Sequence, residues 1–265
     1  MASVHEDGRR ANKVWLGLFG AVVLVAIVVV LVLLFGGDDG DDDAASTTTS
    51  EVVETTTTTE ATTTTEATTT TSAATPAGVT DQEAASIVWP DPEGSITYDD
   101  PIDAAAGYAE ELVGFTDPLY GELMEGDSRS GEVEVRAVED GPATIVLVRQ
   151  MSDEAWYVLG SVTESIELDD PVAGTAIDDP LQLSGRARAF EGTVQVAVFE
   201  RGATEPLGEG FVTGSGSEEL GPFEGEVSWE NPGGGWGAVV LYTLGGEDGV
   251  VWEAVSVPVG FIGGD

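Results

Sequence analysis

Twenty-two consecutive residues without a charge, Val14 to Phe35, constrain this chain more than any other feature. At about 1.5 Å of helical rise per residue, such a run matches a hydrocarbon layer of roughly 30 Å. Arg9, Arg10 and Lys13 precede it; Asp38, Asp39, Asp41, Asp42 and Asp43 follow it. The next basic residue is Arg129. Cations on one flank only predict a cytoplasmic N-terminus. A cleaved secretory signal has a shorter apolar region, about 7–15 residues, closed by a small-x-small site. Here the run ends Leu33-Leu34-Phe35-Gly36-Gly37-Asp38. The expectation is an uncleaved signal anchor in a single-pass protein of the cell membrane. Residues 1–13 would be a cytoplasmic tail, 14–35 a transmembrane helix in the lipid bilayer, and the C-terminal domains extracytoplasmic.

Charge is the second constraint. Of 49 Asp plus Glu, 47 follow the apolar run, against six basic residues, all arginine: Arg129, Arg136, Arg149, Arg186, Arg188 and Arg201. Phosphate binding needs clustered cations, so nucleic acid is excluded as a partner. Self-repulsion of this size keeps a protein soluble and works against compaction, and salt relieves it. Two origins fit: a halophilic or alkaliphilic habitat, or a biased genomic composition. There is no cysteine, which removes disulfides, thiol catalysis and thiolate metal sites together.

Residues 36–82 read as a disordered Asp/Thr-rich stalk. Seventeen threonines lie between Thr47 and Thr75, and Glu-Ala-Thr-Thr-Thr-Thr occurs twice. Such a segment has little apolar surface with which to offset the entropy of folding. Residues 83–168 predict a small α+β domain. Asp100 can cap a helix with Pro101 at its first position. Ile102, Ala105, Ala109, Leu112 and Val113 then share a face, and Gly114 stops it. Strands are predicted at Gly131–Val138, Ala143–Met151 and Trp156–Leu168. Residues 169–262 predict an all-β sandwich. Leu181, Leu183, Gly185, Ala187 and Ala189 alternate with polar neighbours, then Val194, Val196 and Val198. Further strands follow at Leu207–Thr213, Phe223–Trp229, Ala238–Leu244 and Val250–Val259, with Gly or Pro in each gap.

In this last region a family resemblance emerges. Ile177-Asp-Asp-Pro-Leu-Gln-Leu-Ser-Gly-Arg-Ala-Arg-Ala-Phe-Glu-Gly-Thr-Val-Gln-Val, Gly221-Pro-Phe-Glu-Gly and Glu247-Asp-Gly resemble the bacterial spore-germination immunoglobulin-like domain. The resemblance covers about 90 residues and implies an immunoglobulin-like fold without an assigned activity. Gly126–Arg136 and Trp156–Gly160 resemble a region found beside that domain in high-GC Gram-positive envelope proteins, an actinobacterial type of membrane-anchored context.

His5 is the only histidine and Lys13 the only lysine, both ahead of the apolar run. The remainder therefore lacks imidazole, thiol and ammonium groups. Ser-His-Asp, Cys-His and Ser-Lys nucleophilic systems are excluded, as are His- or Cys-ligated metals. Only carboxylates or tyrosine could do acid–base work, and with 47 acids a pair at glycosidase spacing has little meaning.

The chain is read as non-enzymatic: a binding or structural module of the cell envelope, with an envelope protein or a wall glycan as partner. The alternative is a calcium-dependent adhesion module, and a carboxylate-based glycan hydrolase comes third. Calcium is the one cofactor considered. Its candidate ligands are Asp169, Asp170, Asp178 and Asp179, from two Asp-Asp-Pro segments, although these also suit turns. Trp236, after Pro232-Gly233-Gly234-Gly235, and the pair Arg186 and Arg188 are candidate binding residues. Trp229 and Trp252 fall in strand patterns and are expected in the core.

Overall fold

The computed structural model describes residues 78–246 and 248–263. They belong to one compact, β-rich unit. It opens with α1, Asp81–Ala84, whose cap Thr80 and residue Glu83 form a reciprocal capping box. The Glu83 carboxylate also accepts from the Ser152 backbone N–H (3.1 Å) and hydroxyl (2.7 Å). Helix α2, Pro101–Gly107, is capped by Asp100 Oδ1, which accepts from Ile102 N at 2.8 Å, with Pro101 at the first position. The helix continues as a π-helical turn, Tyr108–Val113, and stops at Gly114, whose left-handed backbone (φ 87°) suits glycine.

Thirteen strands follow: β1 Leu119–Tyr120, β2 Met124–Asp127, β3 Ser130–Arg136, β4 Thr144–Gln150, β5 Trp156–Thr163, β6 Ile166–Asp170, β7 Ala176–Ile177, β8 Leu181–Ala187, β9 Thr193–Glu200, β10 Pro206–Thr213, β11 Gly221–Val227, β12 Gly235–Leu244 and β13 Val251–Phe261. Ten of them form one sheet along the path β1-β3-β4-β5-β13-β12-β9-β10, with β2 beside β3 and β7 beside β13. The second sheet is β11-β8-β6.

Two cores lie on opposite faces of the large sheet. On one face, Val194, Val196, Val198, Val239, Leu241, Val255 and Val259 pack against Ile166, Leu181, Leu183, Phe223 and Val227 of the small sheet. This layer is the sandwich. On the other face, Ala197, Phe199, Ala238, Val240 and Ala254 join Val133, Val135, Val146, Val148 and Val158 beneath Tyr108, Ala109 and Leu112. Strands β9, β12 and β13 are therefore covered on both sides. That is why Gly237–Leu241 and Ala254–Ser256 are buried without a break, where a half-exposed strand would alternate.

The two halves of the large sheet, β1–β5 on one side and β7, β9, β10, β12 and β13 on the other, join at a narrow seam. Strand β5 meets β13 at a single pair, Ser161 with Ser256. Gly160 makes the approach possible: with φ 152°, a Cβ there would lie 2.6 Å from the Ser256 carbonyl oxygen. Tyr108, fully buried, places its hydroxyl 2.7 Å from both Ser161 Oγ and Ser256 Oγ, and Ser161 Oγ donates to the Ala254 carbonyl at 3.0 Å. Burial pushes the Tyr108 phenol up to about 12, against the two serine hydrogen bonds.

This architecture corrects the expected fold class. An α+β domain followed by a separate sandwich is replaced by one β-rich unit in which both regions build the same sheet. The strand expected at Trp156–Leu168 divides into β5 and β6, which enter different sheets. The membrane reading is corrected as well. No helix among the described residues is long and apolar enough to cross a membrane. The longest helical stretch among the described residues, Pro101–Val113, reaches only about 20 Å at 1.5 Å per residue. The run at 14–35, the tail before it and the stalk up to residue 77 lie outside the described residues. The membrane anchor, the bilayer as partner, the single-pass localisation with a cytoplasmic N-terminus, and the function built on them are accordingly withdrawn.

Candidate binding groove

The expected site residues scatter. Asp178 and Asp179 hold a tryptophan: Asp179 Oδ1 accepts from Trp229 N at 3.0 Å, and the Asp178 carbonyl accepts from Trp229 Nε1 at 3.1 Å. Trp229 is buried against Phe261, with ring centroids 4.7 Å apart. Asp169 and Asp170 are exposed on β6, where Asp170 borders a shallow concavity of about 380 Å³ with Gln182, Ser184, Glu224 and Glu226. Among the described residues no group of three or more Asp, Glu, His or Cys is placed to hold a metal ion. Calcium asks for six to eight oxygens, so the calcium-dependent alternative is not carried forward. Trp236 opens β12 with its ring over Gly260. Arg186 pairs across strands with Glu167 at 3.6 Å and donates to the Leu220 carbonyl. Arg188 makes parallel contacts two residues on, with Ser165 and the Glu218 carbonyl.

Arg188 also lines a larger opening. A groove of about 1130 Å³ opens where four connections meet: β3–β4, β8–β9, β10–β11 and β12–β13. Phe190, Trp252, Val138 and Leu244 supply its apolar surface. Glu218, Glu219, Asp248, Glu253 and Arg188 supply its charge. The walls are tied by backbone hydrogen bonds between the β8–β9 and β10–β11 turns: Ala189 N to Ser215 O at 2.9 Å, Gly214 N to Gly192 O at 2.8 Å. That anchoring presents Phe190 to solvent, 65 % exposed. The β12–β13 hairpin closes through Gly245 N to Val250 O at 2.8 Å. Its Gly245-Gly246 pair forms floor between two rings. A Cβ on Gly245 would lie 3.5 Å from Trp252 Cε3, and one on Gly246 would lie 3.1 Å from Phe190 Cδ2.

A β-bulge places the key pair. Leu244 faces Val251 and Thr243 faces Glu253, so Trp252 has no partner on β12. A bulge turns consecutive residues toward one side, and Trp252 and Glu253 both line the groove. Trp252 is therefore half-buried there, which corrects its expected place in the core. Glu253 is buried, at 4 % exposure. Its carboxyl accepts hydrogen bonds from Thr163 Oγ1 and from Thr243 Oγ1 (3.3 Å). Burial holds its pKa above the ordinary glutamate value, against the pull of Thr163, Ser165, Thr243 and the Arg188 charge. Arg188 donates to Ser165 Oγ at 3.3 Å and to the Glu218 carbonyl at 2.9 Å.

Comparison with known proteins places most of this groove in a recognised domain. Residues 165–250 match the immunoglobulin-like domain of bacterial spore germination. The match runs from β6 to the turn before β13, so Arg188, Phe190 and Asp248 lie inside it. Val138, Trp252 and Glu253 lie outside. Nothing in the comparisons supports the actinobacterial envelope context expected for the neighbouring region. Neither curated proteins nor solved structures give a match to this chain.

The groove's ionisable groups are four carboxyls and one guanidinium, beside the hydroxyls of Ser217 and Thr243. Its buried carboxyl accepts from hydroxyl donors and lies near the guanidinium.

Proposed function

We propose that this protein is a non-enzymatic recognition module that holds a segment of a partner polypeptide in the groove beside Phe190 and Trp252. The observation that carries this reading is the exposed Phe190 ring across a glycine floor from Trp252, with charged groups along the rim. Concave sites with aromatic surface and a few polar groups are the usual form of a ligand site. At about 1130 Å³ the opening exceeds the common range for small molecules, roughly 300–1,000 Å³. Its four contributing connections form a trough suited to an extended chain. Seating the partner on loops held by a doubly covered sheet limits the ordering cost of binding.

Panning a random peptide library against the full chain tests the reading. Enriched peptides are expected to lose at least tenfold in affinity when Phe190→Ala and Trp252→Ala are combined. Enrichment that survives the double variant, or no enrichment at all, overturns it.

A further inference from the structure

We infer that the groove selects a basic segment, seating an arginine or lysine side chain against the Phe190 and Trp252 rings with its cation toward the Glu218, Glu219 and Asp248 rim. This rests on the reading of the groove as a polypeptide site and adds the chemistry of the occupant. Three observations point the same way.

First, the lining carries four carboxyl groups and one guanidinium. Ser165 and the Glu218 carbonyl hold that guanidinium in place without cancelling its charge, and the exposed Glu218, Glu219 and Asp248 outnumber it, so the net charge facing an incoming chain is negative.

Second, the rings are suited to a cation. Aromatic faces attract a guanidinium or ammonium through the ring quadrupole, tryptophan most strongly. Phe190 is 65 % exposed and lies with one side of its ring beside Gly246. A neutral apolar ligand would use the rings and leave the rim carboxylates to be partly desolvated without a counter-charge, which is costly. A cationic side chain uses both, its stem on the rings and its head at the rim.

Third, the whole chain carries a formal charge of −40. Its field draws cations in from a distance and repels acidic partners. The field alone would gather any polycation anywhere on the surface. The rings are what localise the contact.

A binding experiment separates these terms. The full chain is titrated by fluorescence anisotropy with three labelled decapeptides, (Gly-Arg)5, (Gly-Gln)5 and (Gly-Glu)5, at 50 mM and 500 mM NaCl. The arginine peptide is expected to bind at least tenfold more tightly than the glutamine peptide, and more weakly at high salt. Phe190→Ala with Trp252→Ala should cost it at least tenfold. Glu224→Gln with Glu226→Gln, which removes two exposed acids from β11, should cost it less than twofold. Thermal melts of both double variants establish that they are folded, and Phe190→Ala alone, which removes a ring 65 % exposed, is measured beside them.

Equal losses from the groove and the β11 variants would mean diffuse attraction to a polyanion and overturn the inference. If the glutamine peptide binds as tightly as the arginine one and depends on Phe190 and Trp252, the groove still holds polypeptide but its preference for cations is refuted. If no peptide depends on the two rings, the reading of the groove falls with it.

Discussion

Two polar clusters interrupt the apolar interior of β13 only three residues apart, and they behave oppositely. At Ser256 the groups are neutral hydroxyls from Tyr108, Ser161 and Ser256, enclosed and mutually hydrogen-bonded. At Glu253 the group is ionisable, buried at the base of a groove, and near an arginine. A closed neutral cluster specifies how surfaces meet, because each hydroxyl finds its partners in one arrangement only. A buried carboxyl beside open space instead carries a desolvation cost, the usual mark of a site shaped by something besides stability. The seam joins the two halves of the large sheet, and the groove draws on both regions, since Val138 follows β3 and Phe190 follows β8.

The largest effect should come from dismantling the seam. Tyr108→Ala removes a fully buried ring from beneath β5 and β13 and leaves Ser161 and Ser256 without its hydroxyl. A loss of about 3–5 kcal/mol is expected in denaturant unfolding, the range for deleting a large buried aromatic. A loss below about 1 kcal/mol would show that the two halves of the large sheet do not depend on this junction. Gly160→Ala attacks the same place through the backbone. The new methyl would sit 2.6 Å from the Ser256 carbonyl oxygen, so the strands must part. About 1–3 kcal/mol is expected from such overpacking, with faster amide exchange in β5 and β13. Exchange that rises elsewhere and not in these strands would contradict it.

How much of this was legible beforehand differs between the same two regions. The alternation in β8 and β9, the Asp100-Pro101 cap and the Gly114 stop are local signals, and the structure places elements there. The seam was not legible, because it rests on one residue pair between strands about 95 positions apart. A trace of it was present: a sandwich strand open to solvent on one face should alternate, and Ala238–Leu241 does not. The break between β5 and β6 is only Glu164-Ser165, with neither glycine nor proline to mark it and β-branched Thr163 and Ile166 on its flanks. The groove drew its residues from positions 138 to 253, a spread no motif spans. Glu253 did leave a signal, a lone acid inside Val-Val-Trp-Glu-Ala-Val-Ser-Val. Trp252 was read as core because a bulge, which reverses the inside–outside register, has no reliable mark in one sequence.

The smallest effect on stability should come from Glu253→Gln, and its sign distinguishes the two clusters most directly. A carboxyl whose folded-state pKa lies above its unfolded value of about 4.3 binds its proton more tightly when folded. Its contribution to folding therefore improves as pH falls through the raised folded-state value and levels off below about 4.3. At neutral pH the glutamate is charged and its burial works against folding. Glutamine keeps the shape, offers an oxygen to Thr163 or Thr243 and carries no charge. It forgoes the attraction of Arg188, so at pH 7 the net change should be small, about 1 kcal/mol or less in either direction. The test is the difference in unfolding free energy between wild type and variant across pH 4–8, which cancels the many other acids of this chain. That difference should move in favour of the wild type as pH falls. Parallel pH profiles would mean that Glu253 titrates as an ordinary surface acid. Tyr108→Phe, measured the same way, should give a difference independent of pH over this range, because the phenol it removes stays protonated throughout.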